Sequence, residues 1–278
     1  MTIRIVTDST CDLPHEIIER YGIVVIPMYI NIGDDGFRDG IDISRQAFYQ
    51  QLPEWDTVPT TAAPSIESFR QVYKKLASDG ADQILSIHIS PSLSATLDVA
   101  RVAAEQTSVV NVEAFDSQQL SLGTGFLVER AAQLIAQGSP LDEVKSSMLD
   151  QIQRTHVVAA LDTLEFLQRS GRMNGIMASL GSVLQIRPLL KMFEGQPTSE
   201  RIRTTRRAHE RVITLLNEKL PLERFAILHT NAEKEARILF EQIADRLPFE
   251  QILAVDITPV IGAHIGPGAI GFACVLAK

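Results

Sequence analysis

Cysteine is nearly absent from this chain of 278 residues, tryptophan occurs once, and the common motifs of metal and nucleotide chemistry are missing. Cys11 and Cys274 are far apart and in no metal-ligating or redox spacing, so no disulfide framework is implied and a reducing compartment is the simplest setting. The histidines are scattered, none in an H-x-x-x-H or H-E-x-x-H pattern, which leaves metal ligation without a motif. No G-x-x-x-x-G-K-S/T run exists, so a P-loop kinase is unsupported. Positive charge is also short. With 26 basic against 34 acidic residues the net charge is −8, so nucleic acid is not an expected partner, although a local basic patch stays open.

One stretch, Ile257 to Ala277, has no Asp, Glu, Lys or Arg. Pro259, Gly262, Gly266, Pro267, Gly268 and Gly271 interrupt it and would expose backbone groups to lipid, so it reads as a loop followed by a buried terminal strand, not a membrane span. Transient contact with a membrane surface is compatible with this reading. The start, MTIRIVTDST, goes directly into a strand-like pattern without a secretory apolar region, and a cytoplasmic setting is expected. Hydrophobic residues at 45% and charged ones at 22% are ordinary for a globular enzyme or carrier of one large or two medium domains.

What is present alternates between strand and helix. Ile3 to Val6 reads as a strand, a polar Thr7–Thr10 loop follows, and Pro14 opens a helix to about Tyr21. Ser44 and Ser65 stand where helices begin. A pattern of helix from Gln119 to Gln137, helix from Pro140 to about Arg154 and strand from Val157 suggests a division into residues 1–156 and 157–278. The expected class is α/β: an N-terminal Rossmann-like parallel sheet with helices and a C-terminal α/β domain. Asp-Ser recurs after a strand at Asp8-Ser9 and Asp116-Ser117, which suggests two loops on one sheet edge or a chance repeat.

The chain is organised around Ile84 to Gln106. Six strand-like residues lead into Ser90-Pro91-Ser92-Leu93, and Ser94 is placed at the start of a helix whose apolar face carries Leu97, Ala100, Val102 and Ala104. Orphan N–H groups and the helix dipole at such a terminus favour a carboxylate or phosphate. Ser94 is then either a plain cap or an anion ligand, and the hydroxyls of Ser90, Ser92 and Thr96 nearby favour the second.

Two further segments stand out. Between Arg172 and Arg187 lie fourteen uncharged residues rich in Gly, Ser, Ala and Met. They read either as a closely packed buried helix or as a methionine-bearing wall around a lipid-like ligand. Arg201, Arg203, Arg206, Arg207 and Arg211 form a basic run, either a solvated helix face or a patch that steers an acidic partner. Gly266-Pro267-Gly268-Ala269-Ile270-Gly271 satisfies G-x-G-x-x-G but lies seven residues from Lys278 and opens no βαβ unit, so it reads as a tight turn positioning His264. Ser94, His264 and Asp116 supply the residue types of a hydrolase triad, without the G-x-S-x-G elbow.

The chain resembles the DegV family of bacterial fatty-acid-binding proteins along nearly its whole length. The matching pieces are TDSTCDLP at 7–14, TTAAPS at 60–65, SPSLSAT at 90–96, FDSQQLSLGTG at 115–125, DTLEFLQRSGRM at 162–173, RTTRRA at 203–208 after Pro188, and IGAHIGPGAIG at 261–271. The resemblance implies a two-domain fold holding one long-chain fatty acid in an apolar tunnel, its carboxylate bound by Thr61, Ser94 and His264, with Ala95, Thr96 and Arg172 as secondary candidates. Family members are similar to the lipid-binding subunit of bacterial fatty acid kinase, which presents the carboxylate to a separate ATP-binding subunit for acyl phosphate formation. On that analogy Arg203, with Arg206, is the docking position, the chain has no catalytic residues of its own, and neither cofactor nor metal is expected. Two departures stand out: Ala95 replaces the glycine of S-G-T, and Ala62 replaces a serine often found after the threonine. The rival readings are a serine esterase or thioesterase using Ser94 and His264, and a carrier of another amphipathic anion.

Overall fold

The structure, a computed structural model, describes residues 2–171, 186–249 and 251–278. Its first unit is a parallel sheet built from β1 (Ile3–Asp8), β2 (Val24–Ile26), β6 (Gln83–His88) and β7 (Asn111–Asp116), in the order β2-β1-β6-β7. Alternation along these strands turns Ile5, Leu85 and Ile87 toward one apolar cluster and Val6 and Ile84 toward another. The first cluster includes residues of α5 (Leu122–Ala136) and α6 (Leu141–Ile152), and the second includes residues of α3 (Ile66–Ser78) and α4 (Thr96–Glu105). Because the strands are parallel and β6 lies between β1 and β7, Asp8, His88 and Asp116 come out at the same carboxyl edge. The two Asp-Ser loops therefore do share an edge.

A second sheet of six strands has the order β10-β9-β8-β13-β11-β12. It comprises β8 (Thr155–Ala160), the hairpin β9 (Arg187–Phe193) and β10 (Gln196–Ile202), β11 (Leu222–His229), β12 (Leu253–Asp256) and β13 (Ile270–Leu276). The hairpin turn is Glu194-Gly195, both at positive φ (47° and 74°), the backbone that two-residue hairpins favour. One face is covered by α8 (Thr205–Asn217) and α9 (Glu233–Ile243), the other packs toward the first unit through Val157, Met192, Leu228 and Ala273.

A small antiparallel sheet, β3 (Tyr29–Ile32), β4 (Asp35–Arg38) and β5 (Thr60–Ala62), has the order β4-β3-β5. With α2 (Arg45–Gln51) it forms an apolar cluster that takes in Val260 and Ala263 of α10 (Pro259–Ile265), so a helix late in the chain is gripped by early elements. The remaining helices are α1 (His15–Tyr21) and α7 (Glu165–Arg169).

Several local expectations are met by geometry. Ser44 and Ser65 cap α2 and α3, their hydroxyls accepting from the N–H groups of Ala47 and Ser68, both at 3.1 Å. Others need correction. Residues 259–265 are helical where a loop was expected: Pro259 occupies the first turn, where its missing N–H costs nothing, and Gly266 at φ 74° ends the helix. Val102 does not join the inner face of α4; it is 37% exposed, while Ala103 is fully buried. Among the described residues no helix is long and apolar enough to cross a membrane. The uncharged stretch after Arg172, with its helix and wall readings, lies almost wholly outside the described residues.

Helix α10 sits against α2 at Gly262, where an added Cβ would fall 2.2 Å from the Tyr49 hydroxyl. Gly262→Ala therefore overpacks this junction, and a loss of about 1–3 kcal/mol is expected in urea or thermal unfolding; an unchanged midpoint would mean that α10 is not held against Tyr49.

Candidate functional site

Three chain segments meet where the two units join. β5 presents Thr61 opposite Ile30 of β3. The loop after β6 presents Ser94, and α10 presents His264 in its last turn. Thr61 Oγ1 and His264 Nε2 lie 2.8 Å apart across 203 residues of sequence. With Ser94 they line one cavity of about 90 Å3, whose remaining wall is Thr10, Met28, Ile89, Leu93, Leu120, Leu167, Leu190, Val260, Ile261 and Ile265. No carboxylate, lysine or arginine is among these residues, so a polar end group here meets hydroxyls and an imidazole in an otherwise apolar enclosure.

Ser94 lies just before the helix start at which it was placed. Its own N–H is tied back to Ser90 O (3.2 Å), so it belongs to the preceding turn, and Ala95 occupies the cap position of α4. The Ser94 hydroxyl still reaches the helix start, accepting from Thr96 N–H at 3.3 Å and lying 2.9 Å from Thr96 Oγ1. Thr96 is buried and donates to Met28 Sδ (3.7 Å). Ala95 has φ −75° and ψ 1°, an ordinary conformation for an L-residue, so alanine in place of glycine introduces no strain. Its side chain is exposed and does not line the cavity.

The turn after α10 is pinned. Buried Thr230 accepts Gly268 N–H on its carbonyl (2.8 Å), donates its N–H to Ala269 O (3.1 Å), and uses its hydroxyl to donate to Gly266 O and accept from Ala269 N–H, both at 2.8 Å. The glycine turn that follows His264 is thus anchored by a threonine that no motif pointed to.

Asp116, the third member of the hydrolase triad, accepts from Gln118 N–H (2.7 Å) and does not line the cavity that Ser94 and His264 share. Arg203 and Arg206 are exposed at the start of α8; Arg206 pairs with Glu210 (2.9 Å), and Arg203 makes no ion pair among the described residues. Arg172 lies outside the described residues.

A second cavity of about 70 Å3 adjoins the first and shares Leu93, Leu120, Leu190, Ile261 and Ile265 with it. It continues between the sheets, walled by Val157, Ala159, Leu161, Met192, Leu228 and Ile257, with polar groups only at Ser121, Lys191 and Thr198. One end of the path is polar and the rest is greasy.

Two buried carboxylates that looked like loop residues organise the surroundings. Asp8 accepts from Thr10 through one oxygen and, through the other, from Ile89 N–H (3.2 Å) and His88 Nδ1 (2.9 Å). His88 continues through Ser86 to the Tyr73 hydroxyl (2.7 and 2.8 Å). Thr10 and Ile89, both in the cavity wall, are set by this chain. Although burial opposes its charge, the bonds to His88, Thr10 and Ile89 hold the Asp8 carboxyl below the usual range. Asp12 accepts from Ser121 Oγ (2.6 Å), Thr258 N–H (2.9 Å) and the Arg45 guanidinium (3.0 Å). Desolvation outweighs Arg45 and pushes its carboxyl up to about 6.

The architecture is thus a two-domain α/β protein with a hydroxyl–imidazole pocket beside an apolar chamber. The DegV family model, described as an uncharacterised protein family, matches residues 2–277, and the chain belongs to the DegV family. It is 33% identical to Protein DegV of Bacillus subtilis over 280 residues, 98% of each chain. Identity to a DegV domain-containing protein of Streptomyces coelicolor is 34% over 274 residues, covering 97% of this chain and 96% of the other. Among solved structures, a DegV family protein from Thermus thermophilus described for its fatty acid binding superposes with TM-score 0.90 at 34% identity, covering both chains completely. DegV from Bacillus subtilis, described as a fatty acid binding protein, gives 0.91 at 31% identity over 99% of each chain.

The Asp12 carboxyl provides a pH test. A raised folded pKa means the folded state holds its proton more tightly than the unfolded chain, so this contribution is fully present below pH about 4 and is lost as pH rises through about 6. Arg45, Asp39, Ser121 and Thr258 are the groups that face it. Compared with Asp12→Asn, which cannot titrate, the wild type is expected to lose up to about 3 kcal/mol of relative stability between pH 4 and 6 and then level off. Parallel urea-unfolding profiles of the two proteins over that range would expose a wrong sign.

Proposed function

We propose that this chain binds one long-chain fatty acid, with its carboxylate at Thr61, Ser94 and His264 and its tail in the apolar chamber between two domains that divide at about residue 156. The observation that carries this reading is the common wall of the two cavities: a pocket with four hydrogen-bonding side chains, Thr10, Thr61, Ser94 and His264, shares five aliphatic residues with a chamber that is almost entirely apolar. An amphiphile with one anionic end fits such a path, and fatty acid binding in the Thermus thermophilus and Bacillus subtilis relatives supports it. Burying a sixteen-carbon tail contributes at most about 10 kcal/mol, at ~0.8 kcal/mol per methylene before the costs of association. The chambers, about 90 and 70 Å3, are smaller than the roughly 300 Å3 at which small-molecule pockets begin, so loading parts Leu93, Leu120, Leu190 and Ile265.

The site holds the carboxylate without a catalytic group acting on it and requires no cofactor. We therefore read the chain as a carrier that presents the carboxylate to a separate ATP-dependent kinase subunit, docking through exposed Arg203 and Arg206. The Arg206–Glu210 pair is fully on the surface and gives way readily to a competing acidic partner. A cytoplasmic setting goes with that role.

Organic extraction of the purified protein with mass spectrometry, and native mass spectrometry for stoichiometry, should find one fatty acid per chain. A protein that stays empty after incubation with fatty acids would remove the reading, and turnover of an acyl ester without ATP or partner would replace it with an esterase.

Thr61→Ala combined with Ser94→Ala removes two donors to an anion, and affinity should fall by about tenfold or more for each lost bond, with weaker transfer to any kinase subunit. Arg203→Glu should abolish docking of that subunit and leave lipid retention intact; a pull-down and a lipid-binding titration on the same preparation separate the two effects.

A further inference from the structure

A third cavity, of about 620 Å3, is used by none of the roles above. It opens between the loop after β1, the segment before α2, and the edge strand β12, and its polar lining includes Asp12, Asp39, Arg45, Asp256 and Thr258. Its boundary with the apolar chamber is thin. Asp12 lines the third cavity and Ser121, its hydrogen-bond partner at 2.6 Å, lines the chamber. Thr258 lines the third cavity and the preceding residue, Ile257, lines the chamber. The Thr258 N–H bond to Asp12 (2.9 Å) closes the seam between these two pairs. The Asp12–Ser121 pair and the Ile257–Thr258 backbone thus each join a lining residue of one space to a lining residue of the other.

Both side chains of that pair stand on backbone that glycine would adopt more easily. Asp12 has φ 54°, and Ser121 has φ 49° with ψ −141°. A non-glycine residue kept in such a conformation points to a requirement for its side chain, and the hydrogen bond of the Ser121 hydroxyl goes to Asp12. The chamber's other polar border, Lys191 and Thr198, lies on the β9–β10 hairpin, where Lys191 pairs with Glu200 (2.7 Å) on the outside of the sheet. The buried border is Ser121.

We propose that the Asp12–Ser121 pair is the end wall of the acyl chamber and sets the longest chain the protein accepts. This rests on the reading that the chamber holds a fatty acid tail. Each methylene that finds apolar space raises affinity about fourfold, so without a wall longer chains would bind better and reach the third cavity. Against the wall, the next methylene meets a hydroxyl and a buried carboxylate whose mutual bond it must break, with no apolar surface gained. Affinity should then rise with length and fall abruptly at one chain length.

The experiment is native mass spectrometry of wild type and Ser121→Gly after incubation with an equimolar series of saturated fatty acids of increasing length. Glycine suits the backbone at this position, removes hydroxyl and Cβ together, and leaves the bonds of Asp12 to Arg45 and Thr258 in place. The wild type is expected to show a sharp cut-off, and Ser121→Gly should move it to longer chains, with a gain of more than about tenfold in occupancy if two methylenes beyond the wild-type limit become buried. Ser121→Ala removes the hydroxyl that bonds Asp12 and keeps Cβ, and should shift the cut-off in the same direction by a smaller step. One fatty acid per chain with an unchanged cut-off in both variants overturns the wall and leaves the binding reading standing. No uptake of any fatty acid by the wild type overturns both.

Discussion

Asp12 is a carboxylate with almost no access to water, and the junction of the two domains depends on how its hydrogen bonds are met. A buried anion is tolerated only when its lone pairs are filled, and the groups that fill them come from three places: Arg45 at the start of α2, Ser121 at the start of α5, and Thr258 at the start of α10. The same short segment of the second domain is held again by Arg45 on Asp256 O, by Tyr49 on Ile257 O (2.9 Å) and by Asp39 on the Thr258 hydroxyl. Once Asp256 to Thr258 is fixed, α10 can extend in only one direction. Its last turn then brings His264 to Thr61.

Among the described residues the pocket is lined by no carboxylate, lysine or arginine. Hydrogen bonds from neutral hydroxyls orient a carboxylate without the long-range hold of a buried arginine. In the proposed role most of the affinity therefore comes from the tail, and the head group stays chemically available, as a carrier that hands its cargo to a separate catalyst requires. The chain Tyr73–Ser86–His88–Asp8 serves the same end at one remove, because it fixes Thr10 and Ile89 with bonds that never touch the ligand space.

Much of the fold was legible because it rests on local rules. Ser44 and Ser65 cap where polar side chains can reach N–H groups of the first turn, and the alternation of Ile3 to Val6 carries straight into a parallel strand. Ser94 misled because a hydroxyl before an apolar periodic run is what a cap looks like, while the backbone bond from Ser94 N–H to Ser90 O that takes it into the turn leaves no trace in residue type. Residues 259–265 misled for the opposite reason: Pro259 and Gly266 read as breakers, whereas one starts a helix and the other ends it. Asp12 and Thr230 were invisible because a loop aspartate and a loop threonine look solvated until tertiary structure removes the water. Thr61, Ser94 and His264 came together only through likeness to a family, since nothing local in three segments so far apart says that they meet.

That separation has a consequence for synthesis. Thr61 and His264 are 203 residues apart, and the helix bearing the histidine is seated by contacts made in the first fifth of the chain. While the protein is being made, its early sheet can form on the ribosome, yet the pocket has no imidazole until synthesis has passed α10. A product released before that point could bury much of the first core and still lack the Thr61–His264 pair, so in the proposed role retention of a carboxylate reports that α10 has been made and seated.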